Sequence, residues 1–578
     1  MRSSDNGVRD ESRGSGLWGS RKGGRGSNEG RNHAVKRGLL ALLILALAAP
    51  LAASADNNGH HSWVPSYLAP SLQRAATQTP NATVPVIVES LDGSSKAEDA
   101  LEDVGTSVRK LGIVDAASGQ VVAGDLTELA QEHNLVITPD QAVVLDTKPA
   151  SKKKPPHGAP SFSSSELWPA ATGVDQLWSR LPAEGTPTIA FVDSGIDASR
   201  KDFGGRVLAA VNMTSLPNNS AGDGRGHGTL VAGLAAGSAP GHTGASPTAG
   251  IVSLDVMDDQ GMARTSDVIA AAQWILHNRT KYDIRVANFS LHSATPTSFR
   301  WDPLDKAVEK LWFSGVVVVA AAGNQAQGGQ PTPMAYAPGT DPFAITVGAL
   351  DLHGSTSPDR ADVAPWSAWG YTLDGFAKPE LAAPGRAIFG PVPAGSTLAN
   401  EKPKQLIHTS EGTYMQLSGT SLSAPIVAGM AADLIALDPT MTPDEVKGAL
   451  MLKARSLRKV NTLAAGVGEA YAPGAANVTT APNPNLALNA FLVPESGGGM
   501  VFDDVSWLDA AKASAAWDSV SWLDGWADAA WSLVSWSDVS WSDVSWSDVS
   551  WSDVSWSDVS WTDVSWADLV NAVYADVN

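Results

Sequence analysis

Apolar and polar positions divide the chain into stretches of different period. Short apolar runs that suit buried strands fall at Thr188 to Val192, Ile251 to Val256, Arg285 to Leu291, Val316 to Ala322 and Phe343 to Leu350. Longer stretches of helical period separate them, from Ser266 to His277 and from Pro303 to Phe313. Thr442-Pro443-Asp444-Glu445 places a capping threonine before proline and, three residues on, glutamate. That capping box predicts a helix running to about Lys453. Strand and helix in alternation over 166–475 predict an α/β domain, a mostly parallel sheet with helices on both faces.

A smaller unit precedes it. Residues 56–80 read as polar and irregular, then Val84 to Val88 reads as a strand and Ser95 to Val104 as a helix. A second helical segment, Asp125 to His133, is flanked by apolar stretches, and Leu135 to Ile137 with Ala142 to Leu145 close the unit. This order predicts a small α+β domain over 56–147. Lys148 to Ser165, rich in Lys, Pro, Ser and Gly, reads as an exposed linker across 148–165, where proteolysis concentrates. A second linker is expected at 476–500.

The two ends differ from everything between them. Residues 1–38 carry nine Lys or Arg against four acids, an apolar run follows from Leu39 to Ala53, and Ala53-Ser54-Ala55 gives a small-x-small exit. That order predicts a secretory leader over 1–55 with a long basic region; the run is short for a membrane span and contains Pro50. At the other end, over 501–578, a tryptophan recurs every fifth residue from Trp526 to Trp566. Five residues turn a helix by about 140° and reverse a strand's face, so neither element keeps these rings on one side. A solenoid with a corner every five residues, or a sticky unfolded ribbon, fits the period. The tail would then associate with itself or bind a surface.

Composition narrows the chemistry. A net charge of -20 argues against nucleic acid as the main partner. The absence of cysteine excludes disulfides, thiolate metal sites and cysteine nucleophiles. With 43% hydrophobic residues the chain can build a packed core.

Four positions carry candidate chemistry. Asp193 ends the strand Thr188 to Val192, at the carboxyl edge where open α/β sheets place their sites. His227 lies between glycines in Gly226-His227-Gly228-Thr229, ahead of an apolar helix. A histidine so placed can be oriented by a carboxylate through one ring nitrogen and accept a proton at the other. Ser421, in Gly419-Thr420-Ser421-Leu422-Ser423-Ala424-Pro425, opens the helical run Ile426 to Leu437. Free N–H groups at a helix start can hold the negative oxygen of a tetrahedral intermediate. Asn324, after the strand that ends at Ala322, can supply a second donor to that oxygen. Alone, each has a plainer reading: a turn aspartate, a core histidine, an N-cap serine, a loop asparagine.

Together the blocks around Asp193, His227 and Ser421, in that chain order, resemble the subtilase family of serine proteases. Lys378 to Gly385 resembles the family's Lys-Pro-Asp-x-x-Ala-Pro-Gly segment, and Phe343 to Ala349 resembles the strand after its oxyanion asparagine. The resemblance covers about 170–475. It implies a subtilisin-like fold and a peptidase acting on polypeptide substrates through Asp193, His227 and Ser421, with Asn324 at the oxyanion. It further implies substrate pairing at Ser290 and Leu291 and a specificity wall at Ala321, Ala322 and Gly323, with His292 where glycine is usual. The small domain corresponds to an inhibitory propeptide, so a secreted zymogen is expected. No cofactor is needed for the chemistry; family members often bind calcium, but no site is placed. Two other readings stand beside this one: a secreted surface-binding or self-assembling protein with an inactive peptidase domain, and a related-fold carboxyl peptidase, which the glycine-flanked histidine disfavours.

Overall fold

The structure, a computed structural model, describes residues 65–91, 95–145, 167–182, 185–458, 460, 462–495 and 498–513. The leader at 1–55, the linker at 148–165 and the five-residue repeat lie outside these residues.

The small domain is a five-stranded sheet with helices on one side. Its elements are β1 (Tyr67–Leu68), α1 (Pro70–Gln78), β2 (Thr83–Ser90), α2 (Lys96–Val104), β3 (Gly105–Leu111), β4 (Ala116–Val122) and β5 (Leu135–Pro139). The strands lie in the order β1-β5-β2-β4-β3, with β1 parallel to β5 and the other pairs antiparallel. The stretch expected to be irregular holds α1, started by Pro70 at its first turn and anchored by buried Leu72. The run Val86-Ile87-Val88 is apolar on both faces for a reason. Val86 and Val88 face Leu101, Leu126 and Ile137 within the domain. Ile87 joins the core of the larger body, so the outer face of this sheet is itself covered.

Ala142 to Leu145 does not close that sheet. Ala142–Val144 forms β6, which leaves the small domain and lies antiparallel between Met262–Arg264 and His292–Ser293 of the larger body. A short strand's partner is set by distant chain, which local pattern does not reveal.

The larger body comprises β7 (Thr188–Asp193), β8 (Val207–Asn212), α3 (His227–Ala236), β9 (Gly250–Asp255), β10 (Met262–Arg264), α4 (Thr265–Tyr282), β11 (Ile284–Phe289), β12 (His292–Ser293), α5 (Pro303–Phe313), β13 (Val317–Ala321), β14 (Ile345–Asp351), β15 (Asp362–Val363), β16 (Leu381–Pro384), α6 (Thr420–Leu437) and α7 (Pro443–Leu452). Its eight-stranded sheet runs β15-β14-β13-β11-β7-β9-β8, with β16 also on β14, and only β15 is antiparallel. Every residue of β7 and β13 is buried, as layers on both faces require. Helices α3 and α6 are apolar all round because they are enclosed all round. The capping box at Thr442 and Glu445 forms and starts α7.

Residues 476–500 do not behave as a linker. Leu488 is fully buried, and β17 (Leu492–Pro494) pairs with β18 (Met500–Phe502) ahead of α8 (Asp504–Ala513). Phe502 and Trp507 insert among Phe299, Phe343 and Phe376, with ring centroids 5.2–6.2 Å apart. A few large apolar anchors hold a segment whose Pro, Asn and Gly content reads as loop. Beside this contact Asp302, Asp305, Glu309 and Asp341 are buried together. Burial, then repulsion among these acids, raises Asp305 and Glu309 well above the usual carboxylate range.

Candidate active site

The carboxyl edge of the parallel sheet gathers the predicted residues. Asp193 is the last residue of β7, and its Oδ1 lies 2.8 Å from His227 Nδ1. The Ser194 N–H also donates to that oxygen, at 2.8 Å. Both side chains are buried, so the pair is shielded from water and its mutual attraction is strong.

His227 is the first residue of α3, and the helix start needs partners for its N–H groups. Asp223 provides them: its Oδ1 accepts from the Gly226 N–H at 2.6 Å and its Oδ2 from the Thr229 N–H at 2.8 Å. Burial pushes the Asp223 carboxyl up to about 6, against the pull of these bonds. Sequence reasoning missed Asp223, although asking what caps a helix opening at His227 points to the nearest upstream acid. Gly228 has no room for a side chain. A β-carbon there would stand 2.1 Å from the Gly195 carbonyl oxygen and 3.3 Å from Asp193 Cβ. Glycine therefore allows the histidine's helix to approach the aspartate's strand.

Ser421 is the second residue of α6, which packs beside α3. Asn324 Oδ1 accepts from the Thr420 N–H at 2.8 Å, fixing the orientation of the amide. A β-carbon at Gly419 would lie 3.2 Å from Ser421 Oγ and 3.4 Å from Asn324 Nδ2, so glycine keeps the space between hydroxyl and amide open. Pro425 lies four residues after Ser421 and has no N–H to give its carbonyl. Ser290 Oγ donates to that carbonyl instead, at 2.9 Å, and in turn accepts from Asn288 Nδ2. Among the described residues, no hydrogen bond joins the His227 ring to the Ser421 hydroxyl.

The remaining predicted residues divide. Ala321 and Ala322 are buried at the end of β13, and the Gly323 N–H donates to Thr420 Oγ1 at 3.0 Å, tying this wall to the start of α6. Ser290 and Leu291 are buried, but the extended segment pairs just beyond them. His292 is opposite Val144 and Ser293 is opposite Val143. On the other side, Met262, Ala263 and Arg264 oppose Val144, Val143 and Ala142. That three-residue strand carried no signal in the sequence. The block Lys378 to Gly385 is structural. Glu380 bridges Lys378 at 2.6 Å and Lys447 at 3.1 Å, while the Gly385 carbonyl accepts from the Gly419 N–H ahead of Ser421. Burial alone would raise the Glu380 carboxyl, but the two lysines hold it below its usual value. Among the described residues, no group of three or more His, Asp or Glu side chains is arranged to hold a metal ion.

Comparison with known proteins agrees with this geometry. The profile described as the subtilase family matches residues 185–474. Serine protease AprX of Bacillus subtilis (strain 168) is 34% identical over 273 residues, covering 46% of this chain and 60% of the relative. Subtilisin E of the same organism is 32% identical over 264 residues, covering 45% and 58%. Subtilisin of Bacillus pumilus is 31% identical over 264 residues, covering 45% and 81%. Among solved structures, fervidolysin from Fervidobacterium pennivorans, described as a keratinolytic enzyme related to subtilisin, aligns with a TM-score of 0.53. It is 22% identical, and the alignment covers 72% of this chain and 63% of that one, a likeness of fold. The chain belongs to the subtilase family, whose members include these subtilisin-like serine proteases. It spans 60% and 58% of the length of AprX and subtilisin E.

Proposed function

We propose that the chain is a secreted serine endopeptidase, made as a zymogen and working through Asp193, His227 and Ser421. The observation that carries this reading is the buried Asp193–His227 pair at 2.8 Å, with His227 on a helix packed beside the one whose second residue is Ser421 and whose first is bonded to Asn324. Asp193 accepts from His227 Nδ1–H, fixes the tautomer and stabilises the imidazolium. His227 Nε2 takes the Ser421 proton as Oγ attacks the peptide carbonyl carbon, a contact that commonly tightens only with substrate in place. Asn324 Nδ2 and the Ser421 N–H hold the resulting oxyanion. The imidazolium then gives its proton to the leaving amine as the C–N bond breaks. Water, deprotonated by the same nitrogen, releases the acyl group.

The small domain acts as the inhibitor in this scheme. Its exit strand β6 lies between β10 and β12, in the manner of a bound extended peptide, and self-cleavage is expected within about 146–166. Export by the 1–55 leader completes the zymogen reading. An inactive binding protein is disfavoured, because it has no need to retain Asp193, His227, Ser421 and Asn324 together. The test is Ser421→Ala in the full chain. Loss of casein hydrolysis and of fluorophosphonate labelling, with the precursor left uncut by mass spectrometry, is expected; near-normal turnover ends the mechanism.

A further inference from the structure

The peptide seated in the groove continues past β6 to a built carboxylate position. The Gln141 carbonyl accepts from the Thr265 N–H at 3.0 Å and from Thr265 Oγ1 at 3.2 Å, and the Ala142 carbonyl accepts from the Ala294 N–H at 2.9 Å. Main-chain pairing therefore runs unbroken from Gln141 to Val144. One residue further upstream, Asp140 places Oδ1 2.9 Å from the Ser266 N–H and Oδ2 2.7 Å from Ser266 Oγ, in the first turn of the 18-residue helix α4. Asp140 and Ser266 are both more than nine-tenths buried. Burial pushes the Asp140 carboxyl up to about 6, against the Ser266 bonds and the nearby Arg264 guanidinium, with the Asp267 carboxylate adding to the rise. In the other direction, Val143 is fully buried and Leu145 nearly so, while Val144 between them is half-buried.

We infer that Ser266, Arg264 and the start of α4 form an acid-recognising subsite of the peptide groove, which selects substrates carrying a carboxylate three residues before one buried aliphatic side chain and five before the next. This rests on the peptidase reading above: once the small domain departs, the position held by Asp140 is open to a substrate following the same ladder. The helix start supplies directed N–H and O–H donors, and Arg264 repels a cation at the same place. The preferred pattern is Asp or Glu, two variable residues, an aliphatic residue, one variable residue and a second aliphatic residue.

The test uses the processed full-length enzyme and quenched fluorogenic peptides carrying the sequence of residues 139–147. The residue corresponding to Asp140 is varied as Asp, Asn, Ala or Lys. At about pH 8, where the free carboxyl is ionised, kcat/KM is expected to fall about fivefold from Asp to Ala, and more than about tenfold to Lys, chiefly through KM. In an Arg264→Gln, Ser266→Ala enzyme the Asp-to-Ala ratio collapses toward one. Should that variant fail to mature, the peptide series on the unaltered enzyme still decides. Equal kcat/KM for the Asp, Ala and Lys peptides, with casein still cleaved, overturns the subsite alone. Failure to cleave either the peptides or casein overturns the peptidase reading together with the preference built on it.

Discussion

Two segments flank the larger body and grip it with different kinds of side chain. The small N-terminal domain holds by an aliphatic face, with Ile87, Leu111, Ile113 and Val114 in the core of the larger body, and by polar contacts around it. Arg109 meets Asp267 at 2.6 Å, Glu89 meets Lys306 at 2.6 Å, Asp140 meets Ser266, and one stacked pair, Tyr67 on Trp301, adds to them. The C-terminal segment holds by aromatic burial, with Phe502 and Trp507 sunk among Phe299, Phe343 and Phe376, and by ion pairs of Arg300 with Asp504 and Lys310 with Glu495. A partly exposed pair such as Arg109 with Asp267 exchanges for water at small net cost. Large buried rings do not, each being worth about 1.5–3 kcal/mol. The two attachments therefore differ in kind of side chain, aliphatic residues and ion pairs at one end and aromatic rings at the other.

The contrast can be broken most severely at the nucleophile. Ser421→Ala is expected to lower turnover by about 10⁶-fold and to leave the small domain attached, because nothing severs it. Substantial peptidase activity, or a released N-terminal fragment, contradicts that. Next in size is Trp507→Ala. It should destabilise the processed enzyme by about 3–5 kcal/mol, read as a lowered denaturation midpoint. A shift within error would mean that the C-terminal segment is as dispensable as the N-terminal one. Asp305→Asn should act in the stabilising direction. The Asp305 carboxyl is raised in the folded state, so its contribution to stability is full below the usual carboxylate pKa and is lost as pH rises from there through the raised folded value. The variant should gain about 1–2 kcal/mol at about pH 8 and nothing at about pH 4, measured by urea melts at both. Arg109→Ala should be the mildest. Arg109 is 38% exposed at its side chain, and Asp267 stays held by the Ser215 N–H and Oγ. The released domain should leave about two- to fivefold faster by fluorescence anisotropy. A change of more than about a hundredfold would mean that this pair is a main clamp.

Much of the body could be read from the chain because its signals are local. Helix α5 begins at Pro303 and ends at Phe313, the span its period indicates, and Thr442 with Glu445 mark the start of α7 by a bond they make with each other. Asp193 was legible as the end of a strand, His227 and Ser421 as the starts of helices. What could not be read depends on distant partners. The destination of β6 is fixed by Met262 to Arg264 and by Ser293, far along the chain. Ser290 and Leu291, expected to pair with substrate, are buried, with Ser290 bonded to the Ser421 carbonyl, and the strand pairing in this structure falls at His292 and Ser293. The C-terminal hairpin was hidden because Leu488, Phe502 and Trp507 are isolated anchors rather than a periodic face.

Pro425 gives Ser421 an unusual support. Because the proline withholds the N–H that would tie the Ser421 carbonyl down the axis of α6, that carbonyl is fastened sideways to Ser290, just past the end of β11. The Ser421 hydroxyl thus takes its coordinates from the sheet that also carries Asp193, and stretching or fraying at the far end of the helix has little leverage over it. Engineering can treat the last turns of α6 as tolerant ground, while a seemingly minor serine beyond a neighbouring strand is where accuracy would be lost.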